Sequence, residues 1–305
     1  MPEGNEIHRW AERHTKAFVG KKLHVEAPGG RFADADAIDG KTLKKIHAVG
    51  KHLGYEFGPD AILHVHLGRY GDWTEGVGEL LPVKGALRVR LSRHRAKKAG
   101  PSASLRSAQD DSGEASTTRH GWYSEDDGST SLEPADVDWI ELRGPSDCSL
   151  YDRDQWKKLL GRLGPDALNG DDPEPAFAKI ARSKTPIAAL LMDQSVLSGI
   201  GNIYRAELLY RARLSPFLAG KDVPKKTVEA MWNDSIPLLE AGMVDRRIVT
   251  TLPKDRPHSE AKPLKAEVHY VYRRHGKPCW VCGTKVQRQE MAGRSLYWCP
   301  TCQAE

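Results

Sequence analysis

Four cysteines near the C-terminus limit what this chain can fold into more than any other feature. Within the last 27 of 305 residues stand Cys279-Trp280-Val281-Cys282, a gap of sixteen residues, and Cys299-Pro300-Thr301-Cys302. Two C-x-x-C pairs can clamp a tetrahedral Zn²⁺ from both sides. Four thiolates leave no open coordination position, so one structural ion is expected rather than a catalytic one. Two disulfides are the competing use of four thiols. The rest of the chain offers no disulfide framework, and the spacing favours metal. Between the pairs, Val286, Leu296, Tyr297 and Trp298 flank Ala292-Gly293-Arg294. That pattern suits a β-hairpin with Gly293 near its tip. The fifth cysteine, Cys148, stands alone and reads as a small buried residue.

The C-terminal end is also the basic end. From Lys262 to Trp298 there are eight Lys/Arg and two Glu, in a chain whose net charge is +5. A mildly basic balance permits nucleic-acid binding without establishing it. Lys285, Arg288 and Arg294 beside the cysteines favour a phosphate-facing loop. No apolar run approaches the roughly 20 residues needed to span a bilayer, and the start has no apolar signal region. The expectation is a soluble, cytoplasmic protein without a membrane partner.

The remaining 270 or so residues divide by period. Apolar residues Ile7, Trp10, Ala11 and Phe18 recur at helical spacing, so 5–19 reads as a helix with Asn5 as a plausible N-cap. Alternating strands follow at 62–67, 86–91 and 138–142, separated by turns at Gly68, Gly71 and Gly85. In 86–91 the apolar residues occupy one face and Arg88 and Arg90 the other. A small β-sandwich or barrel is expected here. Residues 95–133 contain no Ile or Val and only two Leu. Such a stretch cannot bury enough apolar surface to offset ordering and is read as a flexible loop. From about 152 the period becomes helical, with helices expected over 155–163, 176–182, 187–197, 203–213 and 228–241. Residues 252–267, rich in Pro, Lys and His, read as a linker.

The other end of the chain carries a possible nucleophile. Removal of Met1 would leave Pro2 as a free secondary amine. An α-amine has a reference pKa of about 7.7–8.0 against about 10.4 for lysine, so a useful fraction is neutral near pH 7. Only the neutral amine attacks carbon. Its adduct at a sugar C1′ becomes a permanently cationic iminium, an electron sink that needs no protonation. Glu3 lies beside it, and a carboxylic acid there could protonate the sugar ring oxygen. Taken singly, a Met-Pro-Glu start is a common and uninformative one.

The motifs gain weight in combination. Met1-Pro2-Glu3-Gly4-Asn5-Glu6-Ile7, His66-Leu67-Gly68-Arg69-Tyr70-Gly71, Asp193-Gln194 through Ser198-Gly199-Ile200-Gly201-Asn202-Ile203-Tyr204, and the four-cysteine tail occur in one order. The whole resembles the Fpg/Nei family of base-excision DNA glycosylases over nearly the full chain apart from 95–133. The Met-Pro-Glu-Gly start is more similar to the endonuclease VIII (Nei) branch. The resemblance implies an α+β multidomain fold. Residues 1–150 would form a β-sandwich with a leading helix, 151–250 a helix–two-turn–helix domain, 251–270 a linker and 271–305 a zinc-finger β-hairpin. It implies Pro2 as the Schiff-base nucleophile, Glu3 as its acid/base partner and Glu6 as a supporting carboxylate. Lys51, in Val49-Gly50-Lys51-His52-Leu53, would hold a phosphate and assist β-elimination. Asn202 would donate to a DNA phosphate from the start of a helix, where free N–H groups and the dipole favour an anion. Arg294 would grip the lesion phosphates, as a clamp rather than an acid, because guanidinium scarcely deprotonates. Tyr204 and Arg288 are further DNA-contact candidates.

One departure from the family pattern concerns the hole left by an everted base, which must be filled if unstacking is to be compensated. Arg69 and Tyr70 stand where an apolar residue often does. Tyr70 could stack in the gap and Arg69 could bond to the orphan base; the sequence leaves both open. His64 and His66 alternate on a strand and read as structural or DNA-facing rather than as metal ligands. The expected function is a monomeric bifunctional glycosylase/lyase acting on damaged, double-stranded DNA in the nucleoid. It would remove oxidised bases, chiefly pyrimidines, through a Pro2 Schiff base and β,δ-elimination. The rivals are a zinc-ribbon nucleic-acid-binding protein without catalysis, and an abasic-site or single-strand lyase of the same fold.

Overall fold

A computed structural model describes residues 2–80, 82–83, 85–93, 117–119, 132–259 and 262–304. The chain divides into two compact units. One contains 10–47 and 52–156; the other contains 2–9, 48–51 and 157–305. Helix α1 (Gly4–Phe18) and strand β2 (Lys45–Val49) each contribute residues to both.

The first unit holds two antiparallel sheets. Strands β1 (His24–Glu26), β5 (Asp72–Gly76), β6 (Leu87–Ser92), β7 (Thr117–Arg119) and β8 (Trp139–Arg143) form a sheet in the order β1-β6-β8-β5-β7. Strands β3 (His52–Gly58), β4 (Ala61–His66) and β9 (Asp147–Tyr151) join β2 in the order β2-β3-β4-β9. A short helix α2 (Ala35–Ile38) follows β1. Aromatic contact joins the two sheets: Tyr55 of β3 lies 5.6 Å from Trp73 of β5, centroid to centroid. His14 of α1 packs edge-on to Trp73 and lies 2.7 Å from the Tyr55 hydroxyl. Most of the loop expected over 95–133 lies outside the described residues, but 117–119 pair with β5 as a strand.

The strand expected over 86–91 forms one residue later, and its polar face is not simply solvated. Arg90 is 3% exposed. Its guanidinium binds Glu141 of β8 and Glu26 of β1, the latter at 2.7 Å. Alternation identifies a face; only the neighbouring strands reveal that the face is covered and supplied with carboxylates.

The second unit holds helices α3 (Arg153–Leu160, its last turn), α4 (Glu174–Ile180), α5 (Ile187–Leu190), α6 (Asn202–Arg211) and α7 (Lys225–Val244), then the hairpin β10 (Gln287–Met291) and β11 (Arg294–Trp298). The hairpin turns at Ala292-Gly293, both with positive φ. The helix expected over 187–197 stops at Leu190. Side chains intercept the backbone groups a longer helix would use. Asp193 accepts from the Ser195 N–H at 2.8 Å, and Gln194 donates to the carbonyls of Met192 and Ile200 while accepting from the Gly199 N–H. Helix α6 is buried at every position from Asn202 to Tyr210. One side of it packs with Phe177, Ile187, Leu197 and Trp232, the other with Tyr270, Val271, Cys279 and Val286. The segment expected as a linker is tied down, with Thr251 donating to the Glu267 carbonyl and Tyr270 to Asp255, both at 2.6 Å. No helix among the described residues is long and apolar enough to cross a membrane.

His64 is 2% exposed in the first unit, 2.9 Å from His52, 3.1 Å from Asp147 and stacked on Tyr151. Burial pushes its pKa from 6.5 down to about 4, against the pull of Asp147. The unfolded chain therefore takes up the proton first as pH falls. Stability held above pH 6.5 is lost on the way down to about pH 4, by at most about 3 kcal/mol from this group. Replacing His64 by Phe, which keeps the stack, should flatten urea midpoints across that window; an unchanged slope would exclude His64 as its source.

Candidate active site and metal centre

Three stretches distant in sequence converge in the second unit: 2–9, 48–51 and the turn that leads into α6. The Gly4 N–H donates to the Gly199 carbonyl at 2.8 Å. Asp166, 1% exposed, accepts from the Gly50 N–H at 2.6 Å and lies 2.8 Å from His8 Nε2. One buried carboxylate thus ties the first turns of α1 to the turn that carries Lys51. The approach leaves no room for side chains. A Cβ on Gly201 would stand 2.4 Å from Glu3 Cδ, and one on Gly50, whose φ is +60°, would stand 2.8 Å from Ser198 Cβ. Glycine is a steric requirement at both positions.

Glu3 is buried in this convergence. Its carboxylate accepts from the N–H groups of Gly201 (3.1 Å), Ile203 (2.8 Å) and Tyr204 (3.2 Å). These are donors that the first turn of a helix cannot satisfy internally, and the dipole there favours a negative charge. Burial nevertheless raises the Glu3 pKa above the usual carboxylate value, outweighing Lys51 and the two helix N–H groups. Burial lowers the Lys51 pKa; Glu3 opposes this, and the cations Arg294 and Arg205 reinforce it. An acid whose pKa is raised and an amine whose pKa is lowered therefore act on each other electrostatically. Such a pair can exchange protons closer to neutral pH than either group in water.

Asn202 opens α6. Its Nδ2 donates to the Ser295 carbonyl at 3.0 Å, and its Oδ1 accepts from Arg205. An amide has a second N–H, which these bonds leave available. Arg205 has no sequence signature, since an arginine one turn into a helix ordinarily reads as a solvated cation. Here it is fully buried and reaches the carbonyls of Ser295 and Met291 on the hairpin. Burial lowers its pKa to about 10, against the pull of Glu3. Arg294, exposed at the start of β11, completes a cationic rim with Lys51 and Arg205 around Glu3.

The other candidates separate. Pro2 is buried next to Glu3. Glu6 is half-buried and holds Arg9 through both oxygens, at 2.5 and 3.2 Å. Tyr204 does not offer a DNA-facing surface: it is fully buried, and its hydroxyl donates to the Leu238 carbonyl of α7 at 3.1 Å. Helical spacing alone cannot distinguish this inward side of α6 from an outward one. Arg288 is exposed on β10, opposite Tyr297. Arg69 and Tyr70 belong to the first unit, where both are exposed, with the guanidinium 5.5 Å from the ring centre.

The four cysteine sulfurs lie within 4.8 Å of one another, the only cluster of three or more metal-type ligands among the described residues. Cys279 and Cys302 are 3.9 Å apart, and Cys282 and Cys299 are 3.4 Å apart. A disulfide requires about 2.05 Å. Zn–S bonds of about 2.3 Å in a tetrahedron place sulfurs about 3.8 Å apart. The set fits one structural zinc, and His64 and His66 take no part in it.

Known proteins are similar along the whole chain. The model of the formamidopyrimidine-DNA glycosylase N-terminal domain matches residues 1–106, that of its H2TH domain residues 163–252, and that of the zinc finger found in FPG and IleRS residues 276–304. "Endonuclease 8 1" of Mycobacterium tuberculosis (strain ATCC 25618 / H37Rv) is 35% identical over 307 residues, covering 99% of this chain and 100% of the relative. "Endonuclease 8" of Pectobacterium carotovorum is 28% identical over 99% of this chain and 100% of its own. Among solved structures, a complex of Lactococcus lactis Fpg with DNA containing an abasic site superposes with a TM-score of 0.70 at 20% identity, covering 99% and 100% of the two chains. Thermus thermophilus MutM (Fpg) superposes with a TM-score of 0.68 at 24% identity, covering 100% and 99%.

Iodoacetamide should modify none of the four tail cysteines in the zinc-loaded protein and all four after chelation. Cys148, whose pKa burial pushes up to about 12, should stay unmodified until the chain unfolds. Mass spectrometry of the digested protein reads the outcome. Labelling of native Cys148 would contradict its burial, and unchanged labelling of the tail after chelation would contradict zinc ligation.

Proposed function

This chain belongs to the formamidopyrimidine-DNA glycosylase/endonuclease VIII family of DNA glycosylases with abasic-site lyase activity, and from that premise we propose that Pro2 is its covalent nucleophile and oxidised pyrimidines in duplex DNA are its principal lesions. The enzyme serves base-excision repair, and its partner is damaged DNA. The observation that carries the Pro2 assignment is the cradle around its neighbour. Glu3 is buried on the first turn of α6 with a lysine of lowered pKa beside it. A buried acid next to the chain terminus is arranged for proton transfer at whatever that terminus attacks.

The roles follow from the chemistry. With Met1 removed, the neutral Pro2 amine attacks C1′, and the base departs with the bonding pair and takes up a proton. The C1′–O4′ bond breaks, Glu3 supplies the proton to O4′, and C1′ is left as an iminium. Loss of a 2′ proton then expels the 3′ phosphate, and a further elimination expels the 5′ phosphate. Lys51, the free N–H of Asn202 and Arg294 hold the phosphates; Arg288 extends that surface along β10. Glu6 orients the entry of α1 through Arg9. Exposed Tyr70 and Arg69 are offered to the gap left by the everted base. The zinc holds the hairpin and takes no part in bond making. The pyrimidine preference rests on the Met-Pro-Glu-Gly start and on relatives named endonuclease 8. The protein acts as a monomer on double-stranded DNA in the cytoplasm, at the nucleoid. We assign the sandwich to 1–150, the helical domain to 151–250, the connection to 251–270 and the zinc hairpin to 271–305.

Borohydride should trap a covalent protein–DNA adduct. An additional N-terminal residue that is not removed should abolish it, and an undiminished adduct would sink the Pro2 assignment. Glu3→Gln should slow base excision by roughly 10²–10⁴-fold and affect a preformed abasic site less. Duplex and single-stranded oligonucleotides carrying one lesion each test the substrate: fastest release of oxidised pyrimidines from duplex supports the reading, whereas cutting confined to abasic sites or single strands favours a dedicated lyase.

A further inference from the structure

Beyond the residues assigned to chemistry, the C-terminal end of α6 carries a second set of contacts. Tyr210 is 1% exposed, and its hydroxyl lies 3.0 Å from Cys279 Sγ and 3.8 Å from Cys302 Sγ. A buried phenol without a polar partner is unfavourable, and the two sulfurs are the partners the fold supplies. Tyr270 stacks on the Tyr210 ring, with centroids 4.5 Å apart. Three residues on, Arg213 adopts φ +54°. That is the left-handed region in which helices end most easily on glycine. Its guanidinium stands 4.9 Å from the centre of the Tyr210 ring, whose hydroxyl faces the two sulfurs. A strained backbone position that holds an arginine points to a use for the side chain.

The physical requirement is a charge. Four thiolates around one Zn²⁺ carry a net charge of −2. A hydroxyl donor and a neighbouring cation offset that charge and slow ligand loss. We propose that Tyr210, through its hydroxyl at the Cys279 and Cys302 sulfurs, and Arg213, the cation held against the Tyr210 ring, are positioning residues of the metal centre and set how tightly the zinc is retained. Tyr210 belongs to α6, and Arg213 follows its end; the first turn of the same helix cradles Glu3, and its Asn202 and Arg205 hold the hairpin carrying Arg294. Metal retention and active-site geometry therefore meet in the stretch from Asn202 to Arg213.

The test uses the zinc-loaded, full-length protein and needs neither Pro2 nor DNA. Zinc release into excess chelator is followed with a coloured metal indicator, beside thermal melts of the loaded protein. Tyr210→Phe keeps the ring and its stack on Tyr270 and loses only the donor. It should release zinc about 10–100-fold faster, the usual penalty for removing such a partner. Arg213→Gly relieves the backbone strain, so its melting temperature should hold or rise while zinc leaves faster; Arg213→Lys should restore most of the retention. Release rates within about threefold of the parent in both Tyr210→Phe and Arg213→Gly would overturn the proposal, whatever happens to the melts. Should Tyr210→Phe fail to fold, Arg213→Gly decides by the same criterion, because removing strain gives it no reason to misfold.

Discussion

The burial of α6 from Asn202 to Tyr210 is the constraint on which the second unit depends. A helix wrapped on all sides by protein must find a partner for every polar side chain it carries, because an unpaired buried charge is far more unfavourable than a lost surface bond. Each polar residue of α6 therefore becomes a tie. Asn202 and Arg205 grip the hairpin carbonyls at Ser295 and Met291. Glu207 accepts from three successive N–H groups, those of Tyr270, Val271 and Tyr272, at 2.7–2.9 Å. Tyr210 reaches the thiolates. Four side chains hold three parts of the C-terminal third in register, and the free N–H groups at the other end of the same helix receive Glu3.

Close backbone approach is the second condition. Gly4, Gly50 and Gly201 let the chain start, the Lys51 turn and the entry to α6 meet at distances no Cβ would tolerate, and Gly199 supplies a φ of +86° in the same turn. A lysine and a glutamate brought together in that way share a desolvated space with two arginines at its edge. The opposite shifts of Glu3 and Lys51 follow from this crowding: burial penalises both charges, and each partially restores the other. Chemistry at a sugar flanked by phosphates needs such an arrangement, an acid that keeps its proton longer than in water and cations that meet the anionic backbone.

Much of this was legible in the residues themselves. The cysteine spacing announces a metal and a hairpin because chelation constrains a short stretch of chain. Helices near 5–19 and 203–213 show in their period because one face of each is continuously apolar. The glycines around Asn202 and the Pro2-Glu3 start acquire meaning from their order and their resemblance to one family. Other features were not legible for definite reasons. The helix expected over 187–197 ends early because Asp193 and Gln194 divert its hydrogen bonds, a competition that apolar periodicity does not register. Arg90 looks solvated in its strand, and Tyr204 looks available on its helix. Their burial depends on neighbours far away in sequence.

By itself, then, the sequence determined the inventory: a proline beside a carboxylate at Pro2-Glu3, a glycine-rich entry to a helix, four cysteines at chelating spacing, and a basic tail. These are local facts, carried by residue type and spacing over a few turns of chain. Only the tertiary structure decided which charges would be buried and who would answer them. Asp166 across the Lys51 turn, Arg205 under the hairpin, Glu207 against the segment before the cysteines and Tyr210 on the thiolates are all long-range pairings. The physical reason is desolvation: a charged side chain has the same pattern in sequence whether water or protein surrounds it, and its energy is set by what the fold places within hydrogen-bond reach.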